Sequence, residues 1–345
     1  MGIIIPILLI AFISYLLWRS CENFERYSKV VGYNLTDGVR GATINAIGSS
    51  LPELFVSFFF LFIMKDVIGF SAGIATILGS AVFNILIIPA LIIPVLIKGN
   101  HEIKIKKKLI FRDAGTLIIS QIALLYFIQD GVISLIDGFY LFLIYLSYLL
   151  ILGKGRFLKR TVNRTKSKKK QSIWFKLIIN VVYISVLCLL LVKLCEVVSG
   201  GAYPVYYPFS EHLSGMGMDI MLVAVFIAAA ASSIPDLFIS YVDASKGEVD
   251  DSLANPLASN LFDICVSFGL PLFLYTLFYG DIDLMNSLNP DVFSQIYSII
   301  ILMIFITVLF LISVMISKKY TIYHSVFFIL LYIGFIYRVI NLLFI

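Results

Sequence analysis

Three carboxylates stand inside the most apolar stretches of this chain: Glu53, Asp236 and Asp263. An acid kept in such a setting is costly and marks an ion or proton path by default. The first two close the same local pattern of two hydroxyls, an apolar residue, a proline and the acid: Ser49, Ser50, Pro52, Glu53, and Ser232, Ser233, Pro235, Asp236. Proline has no N–H, so the carbonyl four residues earlier, on Gly48 or Ala231, loses its helical partner and becomes a free oxygen ligand. Serines three and four residues before an acid lie on its helical face, and so do Ser80 with Asn84 and Ser259 with Asp263, each pair four apart. Pooled, these are hydroxyl, amide, carboxylate and carbonyl oxygens with no sulfur or imidazole. Hard cations such as Ca²⁺ and Na⁺ want that donor set. Three ionised acids in one site would repel one another, so cations or protons must occupy it nearly always.

The pattern is a repeat. AIGSSLPELFVSF at 46–58 aligns without gaps on AAASSIPDLFISY at 229–241, with seven of thirteen positions identical and Glu53 opposite Asp236. GSAVFNILIIPAL at 79–91 aligns on ASNLFDICVSFGL at 258–270, with Asn84 opposite Asp263. If the prolines only kinked helices and the acids were structural, one buried acid would be explained, but not three in a duplicated pattern.

The elements that must position these groups are membrane helices. Of 345 residues 60% are hydrophobic and 14% charged, and mean hydropathy is +1.00. Soluble domains are nearer half apolar and a quarter charged, so a soluble fold is excluded. Apolar stretches long enough to span a bilayer run over 2–18, 38–64, 69–97, 109–128, 132–152, 173–198, 217–242, 253–279, 292–316 and 320–343. The two motif pairs then occupy spans two and three, and seven and eight. An offset of five spans places the copies in opposite orientations, the mark of a transporter whose site lies at the repeat interface near mid-membrane. The expected fold is therefore an all-α polytopic membrane protein of ten transmembrane helices, two inverted five-helix repeats with helices broken at the site. Its expected division is a first repeat at 1–152 with its motif at 41–91, a basic linker at 153–172, and a second repeat at 173–345 with its motif at 224–271.

With the N-terminus outside, inner loops take 22 of the 26 Lys and Arg. That asymmetry predicts both termini outside and the 153–172 loop in the cytoplasm, in a multi-pass protein of the plasma membrane. The net charge of +5 is thus a topology signal rather than a nucleic-acid one. Four scattered cysteines and three distant histidines suggest neither a disulfide framework nor a zinc site. Lys193 and Glu196 read as an ion pair near the outer end of span six, Arg40 as an inner-interface residue, and Asp37, Asp113, Asp219 and Asp243 as solvated span ends. No HExxH motif is present, and the motif serines have no Lys or His base beside them, which argues against an intramembrane enzyme.

GATINAIGSSLPELFVS with GSAVFNIL, and AAAASSIPDLFISYVDASKGEVDDSLANPLASNLFDI, resemble the two alpha repeats of the cation/calcium antiporter superfamily. Within it the chain is most similar to the sodium/calcium exchanger branch, in its potassium-dependent form. The resemblance implies that Glu53 and Asp236 bind a central Ca²⁺. It further implies that Ser49, Ser50, Ser80, Ser232, Ser233, Ser259, Asn84, Asp263 and the backbone carbonyls of Ala46 and Ala229 line the cation sites. Two departures stand out: the family's glycines before the Ser-Ser and Ser-Asn pairs are Ala231 and Ala258 in the second half. The expectation is an antiporter exchanging Na⁺ for Ca²⁺ by alternating access, about three Na⁺ per Ca²⁺. Potassium or proton coupling on the same scaffold is the alternative. No cofactor, catalytic residue or obligate protein partner is expected; the ions, Ca²⁺ and Na⁺ with K⁺ as the open third, are substrates.

Overall fold

A computed structural model describes residues 4–31, 46–99, 107–153, 168–200, 216–285 and 291–344. Helix α1 covers Ile4–Val31, and α2 covers Ala46–Phe59 with a π-helical extension over Phe60–Met64. Then follow α3 at Asp66–Lys98, α4 at Lys107–Ile128, α5 at Leu135–Gly153 and α6 at Lys168–Ser199. Helix α7 is assembled from Ile220–Val223, a π segment Ala224–Ala228, Ala229–Ser232 and Ile234–Ser245. Helix α8 joins Val249–Phe262, a π segment Asp263–Phe268 and Gly269–Tyr279. Helices α9 at Val292–Ile316 and α10 at Ile322–Phe344 complete the chain. Among the described residues ten helical stretches are long and apolar enough to cross a bilayer, and the fold is the all-α, ten-span architecture with two inverted repeats.

Boundaries differ where local chemistry outweighs hydropathy. Helix α1 continues well past residue 18 because Arg19, Glu22 and Arg26 form i,i+3 and i,i+4 ion pairs at 2.9 and 3.6 Å along its polar end. Residues 132–133, expected in a span, instead form strand β1, which pairs antiparallel with strand β2 at Ile282–Asp283. Asp37, Arg40 and residues 154–167 of the basic linker lie outside the described residues.

End-to-end contacts obey the alternation that ten crossings demand. Asn180 in the first half of α6 donates to the Ser20 carbonyl of α1 at 2.7 Å, and Lys107 at the start of α4 donates to the Met315 carbonyl at the end of α9 at 2.6 Å. At the opposite face the Asp66 N–H meets the Tyr275 hydroxyl at 2.8 Å, and β1 meets β2.

The four motif helices α2, α3, α7 and α8 pack together at the centre. Helix α3 is the most enclosed, with an almost continuous buried run from Gly69 to Leu96, as expected of a helix apolar all round. Helices α1 and α6 lie against each other on one flank. On the other, α4 and α5 of the first half cover α8 of the second, while α9 and α10 of the second half cover α3 of the first. Each half therefore buries a motif helix of the other, and the centre forms only when both fold together.

Candidate cation site

One oxygen atom from each of Glu53, Asp236 and Asp263 lies within 4.8 Å of the other two, and all three side chains are buried. Glu53 comes from α2, Asp236 from the last piece of α7, and Asp263 from the first residue of the α8 π segment. π turns inserted in α-helices are frequent at functional sites. The prolines act differently in the two halves. Helix α2 runs unbroken through Pro52, whereas α7 breaks at Ser233 and restarts with Pro235 in its first turn, where a missing N–H costs nothing.

The hydroxyl contacts around the acids depart from strict repeat symmetry. In one half Ser49 Oγ meets Ser259 Oγ at 3.1 Å, and Ser259 donates to Asp236 Oδ1 at 2.8 Å. Strict repeat symmetry would pair Ser232 with Ser80. Instead Ser233 meets Ser80 at 2.7 Å, and both hydroxyls reach Glu53 Oε1, at 3.2 and 3.4 Å. Ser232 Oγ donates at 3.2 Å to the Ala229 carbonyl, which also accepts the Ser233 N–H at 3.1 Å. As a cation ligand, the Ala229 carbonyl must therefore give up one of these donors. Ser50, counterpart of Ser233, faces Asp263 without closing a hydrogen bond. Ala46 is the first residue of α2.

Asn84 shows how the site is poled. Its amide nitrogen donates to Asp236 Oδ2 at 3.1 Å and to Asn260 Oδ1 at 3.0 Å, which uses both amide hydrogens. The reverse flip would set its oxygen against two acceptors, so the hydrogen-bond network assigns the orientation. Asn84 Oδ1 is left without a partner, as are Glu53 Oε2 and Asp263 Oδ2. Buried polar atoms are almost always satisfied, and each exception calls for an explanation. Three orphaned acceptors, two of them on the clustered acids themselves and the third on Asn84, are the arrangement that hard cations complete.

Two contributors escaped the repeat-based reading. Asn260 donates to the Ala81 carbonyl of α3 at 2.8 Å while accepting from Asn84, so it latches the halves together and holds the Asn84 amide. Ser267 donates toward Asp263 Oδ1 at 3.3 Å. The identical pair Ser57 and Ser240, both buried, was the available signal for further polar positions. Elsewhere Asp113 is not the solvated span end expected: it is buried, bound by Arg112 at 2.6 and 3.0 Å and by the Tyr148 hydroxyl at 3.0 Å. Asp219 caps α7 by accepting the Met221 N–H at 2.7 Å, and Lys193 pairs with Glu196 at 2.8 Å. Replacing Asn260 by alanine frees the Asn84 amide and leaves the Ala81 carbonyl short of a donor. An unmet buried partner costs about 1–3 kcal/mol. The expected outcome is Ca²⁺ binding to purified protein about tenfold weaker, measured by titration calorimetry.

The sodium/calcium exchanger protein family matches residues 1–154 and 172–341. The human sodium/potassium/calcium exchanger 3 is 35% identical over 154 residues, 44% of this chain and 23% of that protein. The chain thus aligns with about a quarter of that relative's length. Among solved structures, native YfkE superimposes with a TM-score of 0.64 at 16% identity, covering 98% of this chain and 92% of that one. The sodium-calcium exchanger NCX_Mj, soaked with zero Na⁺ and Ca²⁺, does so at 0.56 and 20% identity, over 96% of this chain and 97% of that one. At such identities the superpositions speak to fold alone, and the fold agrees. With the family match covering both halves, including every motif residue described above, this chain belongs to the sodium/calcium exchanger family, whose members are transporters rather than enzymes.

Proposed function

We propose that the chain exchanges Na⁺ for Ca²⁺ across a membrane by alternating access at the Glu53–Asp236–Asp263 site. The observation that carries this reading is the trio of buried acids within 4.8 Å, two of which keep an oxygen without a partner, as Asn84 does. Three acids accommodate either one Ca²⁺ or several Na⁺, and neither can enter while the other holds the oxygens. Competition for one ligand set is the coupling. Glu53 and Asp236 hold Ca²⁺ from opposite halves; Asp263, Asn84 and the hydroxyls of Ser49, Ser50, Ser80, Ser232, Ser233 and Ser259 supply the remaining oxygens, with the Ala46 and Ala229 carbonyls.

A tenfold Na⁺ gradient is worth about 1.4 kcal/mol per ion and 100 mV about 2.3 kcal/mol per charge. Moving Ca²⁺ outward against a gradient of about 10⁴ and that potential takes about 10 kcal/mol. Two Na⁺ supply about 7.4 kcal/mol and three about 11, which favours three per Ca²⁺. The repeats are assigned to 1–152 and 173–345, the 153–172 loop to the cytoplasm and both termini to the outside of a plasma membrane, on the distribution of Lys and Arg.

Proteoliposomes decide the matter. Vesicles loaded with Na⁺ should take up ⁴⁵Ca, and sodium-free vesicles should not; equal uptake in the two refutes exchange. The identity to a sodium/potassium/calcium exchanger favours a second reading, in which K⁺ travels with Ca²⁺. Uptake that rises with K⁺ on the Ca²⁺ side, at clamped potential, distinguishes it.

A further inference from the structure

We propose that Ser267 is a specificity-determining positioning residue that sets the competition between Ca²⁺ and Na⁺ by sharing its single proton between Asp263 and helix α2; this rests on the exchange reading above. Ser267 is fully buried. Its Oγ stands 3.3 Å from Asp263 Oδ1 and 3.3 Å from the Ser50 carbonyl. One proton faces two equidistant acceptors, a carboxylate and a main-chain carbonyl. Directed at Asp263, it stabilises the carboxylate charge; directed at Ser50, it leaves Asp263 bare and turns the serine's lone pairs toward the same space.

The surroundings keep this choice open. The main chain of Ser267 is held independently, because Ser57 Oγ donates to the Ser267 carbonyl, so the hydroxyl is not needed to place the residue. Asp263 Oδ2 has no partner and is fully buried, so the carboxylate that Ser267 touches has an oxygen to offer an ion. The π segment Asp263–Phe268 widens the turn so that a residue four beyond Asp263 reaches α2 as well as Asp263. The first half has no equivalent: the aligned position is Ile88, on the uninterrupted helix α3. Of the two repeat-related positions, Asp263 thus has an adjustable donor four residues on, whereas Asn84 opposite is locked by Asn260.

A carboxylate relieved of a donor presents more charge, and a divalent cation gains more from that than a monovalent one. Ser267→Ala should therefore tilt the site toward Ca²⁺. The test is ⁴⁵Ca binding to purified full-length protein, competed with NaCl, beside Na⁺-driven uptake in proteoliposomes. The expected result is that Ser267→Ala needs about fivefold more Na⁺ to displace Ca²⁺, the scale of one ordinary net hydrogen bond. Ser267→Cys, nearly isosteric with a weak donor, should fall between. A Na⁺ requirement equal to wild type in Ser267→Ala overturns the proposal, and so does failure of both variants to fold, which would make the hydroxyl structural. Wild-type protein that binds Ca²⁺ but shows no Na⁺-driven uptake brings down the exchange reading instead, while the competition ratio still judges Ser267.

Discussion

Glu53→Gln is expected to abolish Na⁺-driven ⁴⁵Ca uptake while folded protein is recovered in wild-type yield. Glutamine has the shape of glutamate, so the packing around a fully buried position is conserved. What changes is charge and donor pattern. Glu53 Oε1 accepts from Ser233 and Ser80, and Oε2 has no partner. With glutamine, either the amide nitrogen points at the cation or it displaces two hydroxyl donors. A unit charge near 4 Å is worth about 4 kcal/mol at the effective dielectric of a protein. Losing it against a divalent ion should weaken Ca²⁺ binding by a factor of at least about 100. Repulsion with Asp236 and Asp263 is relieved at the same time, so the ion-free variant should melt no lower than ion-free wild type. Wild type should gain about 2.7 kcal/mol at Ca²⁺ one hundred times its dissociation constant, and the variant essentially nothing at the same concentration. A variant that keeps Ca²⁺-dependent stabilisation would remove Glu53 from the site.

The ten spans and the three acids were legible because both rest on strong local signals: sustained hydropathy, and carboxylates where hydropathy forbids them. The repeat added what composition could not, namely that residues 183 positions apart, Glu53 and Asp236, come together. Its symmetry also misled. Asn260 and Ser267 stand opposite Ala81 and Ile88 in the alignment, so a search for matched positions discards them, although one holds Asn84 and the other touches Asp263. The contacts of Ser233 with Ser80 and Glu53 have no counterpart at Ser50 in the first half, and they accompany a break at Ser233 that α2 does not share, since it passes Pro52 intact. Asp113 was misplaced for a separate reason. A residue near a span end is solvated only if nothing covers it, and Tyr148 of α5 does. The pairing of β1 with β2 joins loops of the two halves, and two-residue strands carry no hydropathy signal.

Gly79→Ala is expected to lower thermal stability sharply and to impair Ca²⁺ binding with it, although the substitution adds one methyl group. A Cβ at Gly79 would stand 2.0 Å from the Val225 carbonyl oxygen and 2.7 Å from Ala229 Cβ. The first obstacle is backbone, which no rotamer change can move aside. Val225 belongs to the α7 π segment Ala224–Ala228, so the methyl must drive α3 and α7 apart where the two halves meet. The adjacent Ser80 makes the 2.7 Å contact with Ser233, and a shift comparable to the overlap breaks it. Overpacking a buried contact costs about 1–3 kcal/mol and occasionally more; a clash with main chain belongs at the upper end. Gly115→Ala is the control, because a Cβ there meets nothing within 4 Å. It should melt at or slightly above the wild-type temperature, since alanine is the better helix former. The repeat counterpart of Gly79 is Ala258, which tolerates its methyl, so the two halves are not packed equally closely across their interface. Equal melting temperatures for Gly79→Ala and Gly115→Ala would show that α3 and α7 can separate there at no cost, and that the contact does not hold the serines in place.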